Sequence, residues 1–186
     1  MQEIRFHGRG GQGTVVASIL LAKAFFKDGY DVQTFPVFGV ERRGAPVEAY
    51  LRLDHEKILI RTNVYQPDHI IVQDFHLLAY VDVTRGLKPG GWILLNSSDP
   101  PQVGQTFAKY RIAWVDATRI ALENELGTRT HPMINTAMVG AFGKVVNQPS
   151  LAAITAAIEE EITVKPARNV KAATEAFAAV HLAAPV

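Results

Sequence analysis

Apolar and polar positions alternate at the start of the chain and then change to a helical period. Ile4 and Phe6 flank Arg5, which is typical of a strand over residues 2–7. Apolar residues then recur every three or four positions and predict a helix over residues 12–27. A strand at 32–35 should end at Pro36. The remaining pattern predicts buried strands at 68–74, 92–96 and 111–115, and helices at 75–81, 119–126, 132–146, 151–161 (capped by Ser150) and 166–184.

Residues 47–53 alternate more regularly than any other stretch. Val47, Ala49 and Leu51 share one face, so this strand is expected to be half solvated and antiparallel, with residues 55–62 as its hairpin partner. The predicted fold is therefore an open, mostly parallel, Rossmann-like α/β sheet with an antiparallel insertion after strand two and helices on both faces. We expect a single domain over residues 1–186, in which 166–186 form a C-terminal helical tail.

Composition excludes several classes of function. Apolar residues make up 48% of the chain, charged residues 20%, and the formal net charge is +1, so we expect neither a nucleic-acid partner nor a membrane partner. The start of the chain leads directly into a strand, which favours a cytoplasmic protein without a signal peptide. The sequence has no cysteine, so it cannot ligate an iron–sulfur cluster by itself. The six histidines show no metal-ligand spacing, and no metal site is expected.

A glycine-rich stretch lies between the first predicted strand and the first predicted helix. Gly8, Gly10 and Gly13 match the pattern G-x-G-x-x-G in the context that gives it meaning. Such a turn lets backbone N–H groups approach an anion, and the helix N-terminus adds a favourable partial charge. The stretch predicts a site for a phosphate-bearing ligand, and the alternative is a glycine turn that binds nothing.

The dinucleotide form of this site is incomplete. An NAD-binding fold carries an acidic residue at the end of strand two, whereas this strand ends in Thr34, Phe35 and Pro36. The nearest charged residues downstream include Arg42 and Arg43, which favour a ligand with an additional phosphate, such as a nucleotide 2′- or 3′-phosphate. The alternative for these two arginines is a solvated loop or an ion pair with Glu41.

Three blocks of residues together resemble a known family. They are His7-Gly-Arg-Gly-Gly-Gln-Gly-Thr14, Phe35-Pro-Val-Phe-Gly-Val-Glu-Arg-Arg-Gly-Ala-Pro-Val47 and Pro132-Met-Ile-Asn-Thr-Ala-Met138. In this order they look like the γ subunit of the 2-oxoacid:ferredoxin oxidoreductases, and the resemblance covers essentially the whole chain. The second block is more similar to the pyruvate and branched-chain members than to the 2-oxoglutarate members, which favours pyruvate.

The resemblance implies a role inside a larger complex. Members of this family decarboxylate a 2-oxoacid oxidatively, transfer the acyl group to coenzyme A and pass electrons to ferredoxin or flavodoxin. The expected partners are the α, β and ferredoxin-like δ subunits, which would hold thiamine diphosphate, Mg²⁺ and [4Fe-4S] clusters. The apolar helices at 132–146 and 166–184 are candidates for contact with those partners, although packing in the core of this chain explains them equally well.

The family's γ region is associated with coenzyme A binding. Carried over to this chain, the resemblance assigns ligand contacts to the glycine block, the basic loop and the third block, namely Gly8, Gly10, Gly11, Gln12, Gly13, Thr14, Arg42, Arg43 and Asn135. Asn135 could instead be a polar residue at a helix N-terminus, and Asn96 and Ser97 are weaker additions. No catalytic residue is expected. Two alternatives are a stand-alone NAD(P)-binding protein, in which Arg42 and Arg43 hold a 2′-phosphate, and a purely structural subunit.

Overall fold

A computed structural model describes residues 1–37, 44–102 and 104–183. The strands are β1 (Gln2–Arg9), β2 (Asp31–Val37), β3 (Pro46–Asp54), β4 (His69–Val72), β5 (Trp92–Asn96), β6 (Arg111–Val115), β7 (Gly127–Thr128), β8 (His131–Pro132) and β9 (His181–Leu182). The α-helices are α1 (Thr14–Lys27), α2 (Ala117–Glu123), α3 (Asn135–Val146), α4 (Leu151–Glu161) and α5 (Pro166–Ala179). Two 3-10 helices span Phe75–Ala79 and Gln105–Phe107.

The main sheet has seven strands in the order β2-β3-β1-β4-β5-β6-β9. Strands β1, β4, β5 and β6 are parallel to one another, and the short β9 closes the far edge antiparallel to β6. Strand β3 runs antiparallel between β1 and β2, with Leu51 opposite both Ile4 and Thr34. The predicted fold class, a mostly parallel α/β sheet with an antiparallel portion, is confirmed.

The partner predicted for the antiparallel strand was wrong. Residues 55–62 form no strand, because both edges of β3 are already occupied by β1 and β2. The carboxylate of Asp54 also accepts the N–H groups of His55 and Glu56 at 2.7 and 3.3 Å, which turns the chain out of the sheet. Strand β2 continues through Pro36 to Val37, since an edge strand tolerates a residue without an N–H donor.

Several element boundaries differ from the pattern for local reasons. The helix predicted from residue 132 begins at Asn135, because His131 and Pro132 pair with Thr128 and Gly127. The C-terminal helix ends at Ala179, since the chain then extends to join the sheet edge as β9. Residues 75–79 form a 3-10 helix rather than an α-helix. Helix α4 has the predicted bounds, and the Ser150 hydroxyl accepts the N–H of Ala153 at 3.1 Å as its cap.

Helices lie on both faces of the sheet, but very unequally. Side chains from all five α-helices join one large apolar cluster with Ile4, Phe6 and Leu94 of the sheet. The opposite face carries a smaller cluster around Ile70, Val72 and Ile93, which the 3-10 helices and loops cover. Helix α3 is buried from Asn135 to Gly143, so packing within the chain accounts for its apolar sequence.

Two buried arginines hold loops against the antiparallel part of the sheet, on the face opposite the α-helices. Arg5 is 1% exposed and donates from Nη2 to the carbonyl oxygens of Val83 and Arg85 at 2.8 and 2.7 Å. Arg52 is equally buried and donates to Glu3 and to the carbonyl of Asn63. Since a buried guanidinium must be hydrogen-bonded on most sides, these contacts fix the covering loops to the sheet. No helix of the described residues is long and apolar enough to cross a membrane.

Candidate functional site

The glycine turn connects the end of β1 to the start of α1 at the carboxyl edge of the parallel strands. Gly11 and Gly13 adopt φ values of +96° and +74°, a region that favours glycine. A Cβ on Gly13 would also lie 2.9 Å from the side-chain nitrogen, Nδ2, of Asn135. The turn is therefore specified by backbone conformation and by close packing against the start of α3.

Some amide groups of the turn are satisfied within the chain. The N–H of Arg9 donates to the Gln12 side-chain oxygen at 2.8 Å, and the N–H of Gly10 donates to the Ala45 carbonyl at 2.9 Å. The N–H groups of Gly11, Gly13 and Thr14 find no acceptor among the described residues. These three donors, at a helix N-terminus of positive partial charge, are suited to an anion.

A cleft of about 360 Å³ adjoins the turn. It is walled by Arg9 to Gln12, Gly44, Asp74 and residues 130–132. The Nε atom of Arg9 lies 2.6 Å from a carboxylate oxygen of Asp74, although its N–H does not point along a hydrogen bond, so the contact is best described as ionic. The Arg9 guanidinium also lies 5.7 Å from the centre of the Tyr80 ring. Arg9 and Asp74 thus place one charge of each sign at the cleft.

A series of hydrogen bonds between polar residues links the ends of neighbouring strands beneath the turn. Thr14 donates its hydroxyl to the Gln73 side-chain oxygen at 2.6 Å, and the Asn96 amide donates to the Gln73 carbonyl and to Thr118, both at 3.0 Å. Gln73 is fully buried, and its side-chain nitrogen has no partner among the described residues. The Thr14 and Asn96 side chains are therefore engaged internally, where they position the turn relative to β4 and β5.

His7 lies one residue before Gly8, on the face of the sheet opposite the α-helices. Burial, and secondly the charge of Arg5, lowers the pKa of His7 to about 4. Its Nε2 accepts from the Arg5 Nε at 3.0 Å, so the neutral ring carries its proton on Nδ1, which lies 3.6 Å from a Glu48 oxygen. The other Glu48 oxygen accepts the Tyr50 hydroxyl at 2.6 Å, and burial raises the pKa of Tyr50 to about 12. This network is a buried support for the turn.

The predicted site residues do not all converge on the cleft. Gly10, Gly11 and Gln12 line it, whereas Gly8 packs against Thr14 and Gln73 beneath it. Asn135 is 3% exposed and contacts Gly13, but it lines a separate cavity of about 340 Å³ with Val16 and Lys165. Ser97 lines a third cavity with Asn96, at the ends of β5 and β6. Arg42 and Arg43 lie outside the described residues.

The site residues predicted from the sequence did not include Arg9, Gln73 or Asp74. Asp74 and Gln73 directly follow the apolar residues of β4, and a polar pair after a buried strand was the available signal. The order of the strands does not fit the dinucleotide-binding alternative, because β3 separates β2 from β1. The end of β2 is then two strands away from the glycine turn, roughly 10 Å in the direction of the hydrogen bonds. Among the described residues, no group of three or more His, Cys, Asp or Glu could hold a metal ion.

The chain has an α/β fold with a glycine turn at the carboxyl edge of a mostly parallel sheet, the edge at which ligands of such folds bind. The family model described as pyruvate ferredoxin/flavodoxin oxidoreductase matches residues 3–179, and the chain belongs to this family. The resemblance carried by the three sequence blocks is confirmed.

The relatives are γ-type subunits, and this chain matches them over nearly their whole length. The common γ subunit of the pyruvate/ketoisovalerate oxidoreductases of Thermococcus kodakarensis is 49% identical over 95% of this chain and 96% of its own. Pyruvate synthase subunit PorC of Methanocaldococcus jannaschii is 48% identical over 95% of this chain and 96% of its own. The crystal structure of pyruvate oxidoreductase subunit PORC from Thermotoga maritima superposes with a TM-score of 0.81 at 32% identity, covering 98% of both chains. These homologues are subunits of a multisubunit oxidoreductase.

Proposed function

We propose that this chain is the γ subunit of a cytoplasmic pyruvate:ferredoxin oxidoreductase, in which it helps to bind coenzyme A and to hold the complex together. The complex would convert pyruvate and coenzyme A to acyl-CoA and CO₂, with the electrons passing to ferredoxin or flavodoxin. Its partners would be the α, β and ferredoxin-like δ subunits. This chain would supply no catalytic residue of its own.

The observation that carries the coenzyme A role is the set of backbone N–H donors in the glycine turn that have no acceptor among the described residues, of which that of Gly11 lines the cleft. Coenzyme A carries several phosphate oxygens, and the N–H groups of Gly11, Gly13 and Thr14 are donors suited to one phosphate. Arg9 supplies a cation at the same place, and it would turn from Asp74 toward the phosphate. Asp74 opposes this binding unless Arg9 compensates its charge, which makes Arg9 the residue to test. When bound, coenzyme A supplies the thiol that accepts the acyl group.

The other cofactors would lie in the partner subunits. The family uses coenzyme A, thiamine diphosphate and iron–sulfur clusters. Clusters are normally held by cysteine thiolates, and this chain has none. We therefore assign the [4Fe-4S] clusters, thiamine diphosphate and Mg²⁺ to chains that assemble with this one.

The proposal is tested on the complex purified through a tag on this chain. The variant Arg9→Gln should raise the KM for coenzyme A by roughly tenfold, because one charge-assisted hydrogen bond is lost. The KM for pyruvate should stay the same, since the arginine would contact only the cofactor. Dephospho-coenzyme A, which lacks the 3′-phosphate, shows which phosphate Arg9 binds. If Arg9 binds the 3′-phosphate, the parent complex should bind dephospho-coenzyme A more weakly than coenzyme A, and the Arg9→Gln complex should bind both equally.

Arg61→Gln is the matched control, because it removes an exposed arginine from a loop remote from the turn. Equal KM values for coenzyme A in parent and Arg9→Gln complexes would contradict the role of Arg9. If, in addition, the purified chain bound NADPH saturably and coenzyme A not at all, the stand-alone NAD(P)-binding alternative would replace the proposal. Unchanged turnover after substitution of Gly13 by a bulky residue would favour the purely structural subunit.

A further inference from the structure

A further and larger concavity lies near the β9 edge of the sheet, away from the glycine turn. The groove runs along β6 beside β9, from Trp92 and Arg111 at the amino ends of β5 and β6 to Trp114 near the carboxyl end of β6. Its volume is about 910 Å³, and its lining includes Trp92, Phe107, Tyr110, Ile112, Trp114 and Leu182. Small ligands of such sheets bind in the crevice beyond the carboxyl ends of the strands, whereas this groove lies along β6 and the sheet edge, which favours a different occupant.

The groove combines aromatic rings with cations. The guanidinium of Arg111 lies 4.5 Å from the centre of the Trp92 ring, and the Lys109 ammonium lies 5.4 Å from the centre of the Tyr110 ring. Trp114 stacks on His181 of β9 with ring centres 5.2 Å apart. No Asp or Glu lines the groove among the described residues. The lining is thus aromatic and cationic, with no carboxylate to neutralise Arg111 and Lys109.

This composition is that of a protein interface. Trp, Tyr and Arg dominate the binding energy of protein–protein contacts, particularly where they line a concave centre. We propose that the groove docks a companion subunit of the same complex, through an apolar side chain flanked by Asp or Glu. The inference rests on the proposed function in one respect, namely that this chain works within a complex.

The charge of the groove argues against a second copy of this chain as the occupant. In a symmetric contact the same patch meets itself, so Arg111 and Lys109 of one copy would face the same residues of the other. Like charges brought together in this way oppose association, whereas carboxylates on a different chain would steer it and fix its register.

Both tryptophans of the chain line the groove, which permits a direct test. The chain is produced with 5-fluorotryptophan and mixed with unlabelled companion subunits, and its two fluorine NMR signals are followed. Both signals should change their chemical shift as the complex forms, beyond the broadening that slower tumbling gives to any complex. The double variant Lys109→Glu/Arg111→Glu should weaken association at least about tenfold, since attraction across the contact becomes repulsion.

A matched control carries the same change in charge elsewhere. Lys57 and Arg61 are exposed and do not line the groove, so Lys57→Glu/Arg61→Glu should assemble like the parent. Thermal unfolding of each isolated variant checks that the fold is intact, because Arg111 also donates to the Gly90 carbonyl at 2.7 Å.

Three outcomes would overturn the inference. An assembled complex in which both fluorine signals keep the chemical shifts of the isolated chain would show that the groove is not the contact. Coenzyme A binding measured on the same complex would keep the proposed function separate. Concentration-dependent shifts of the isolated chain, together with a dimer mass by light scattering, would assign the groove to a second copy. Failure to associate with any companion subunit would remove both this inference and the assembly role.

Discussion

His7 is a titratable side chain that the fold keeps neutral. It is 2% exposed, and its neighbours Arg5, Arg85 and Glu48 contribute charges of both signs. Burial and the two cations lower its pKa to about 4, below the ordinary value of 6.5. Between these two values the unfolded chain takes up a proton that the folded chain does not, so stability falls as the pH falls through this range.

We expect the free energy of unfolding to decrease by on the order of 2 kcal/mol between pH 6.5 and 4 because of His7. His69, whose pKa burial also lowers to about 4, should add to the effect. Urea unfolding at several pH values measures the slope. The variant His7→Gln should reduce this slope. An unchanged slope in His7→Gln would show that His7 titrates normally in the folded chain.

The candidate site was only partly predictable at this scale. Positive φ at Gly11 and Gly13 follows from the local pattern, because few other residues adopt that conformation. The pairing of Thr14 with Gln73 and of Arg9 with Asp74 depends on which strand lies beside β1. That order is a property of the sheet as a whole, and no local pattern in a single chain encodes it.

At the scale of the element, the contact between α3 and α5 depends on one small residue. A Cβ on Gly140 would collide with the carbonyl oxygen of Ala173, so the two helix backbones touch there. Ala172 and Ala173 are fully buried against this contact. The buried alanines of α5 therefore reflect close helix packing.

Gly140→Ala should lower the free energy of unfolding by about 1–2 kcal/mol, even though alanine favours a helix by about 1 kcal/mol over glycine. The expected sign is opposite to that of helix propensity, because overpacking against a backbone atom outweighs it. Chemical denaturation measures the change. In Gly104→Ala the added Cβ meets open space, so its stability should stay within about 0.5 kcal/mol of the parent. A stabilised Gly140→Ala would contradict the close contact.

The same scale shows where pattern reasoning works and where it fails. Helix α4 has its predicted bounds because Ser150 and the apolar period are both local signals. Residues 55–62 carry a strand-like sequence, yet Leu59 remains 78% exposed, since β1 and β2 occupy both edges of β3. Local preference describes what a segment can form, and competition for sheet edges decides what it does form.

At the scale of the whole molecule, the two faces of the sheet are stabilised differently. The face that carries the five α-helices holds most of the buried apolar side chains, whereas loops cover the smaller cluster opposite. The glycine turn and the start of α3 belong to the first layer, and much of the aromatic groove belongs to the second. The glycine turn is thus anchored to the helical layer, whereas Asp74 of the adjoining cleft caps the 3-10 helix on the opposite face. The groove lies where loops can adjust to a partner.

A leucine-to-alanine substitution made on each face tests whether the two faces are stabilised differently. Leu94 of β5 is fully buried beneath the helical layer, whereas Leu87 is 5% exposed and lies in a loop on the opposite face. Leu94→Ala should lower the global free energy of unfolding by about 3–5 kcal/mol, because the packed surroundings cannot collapse into the cavity. Leu87→Ala should cost about 1–2 kcal/mol and act locally, since its loop can relax around the smaller side chain. Native-state hydrogen exchange separates the two results: Leu94→Ala should accelerate exchange throughout β1, β4 and β5, and Leu87→Ala mainly in residues 82–91. Equal global losses would mean that both faces unfold as a single unit.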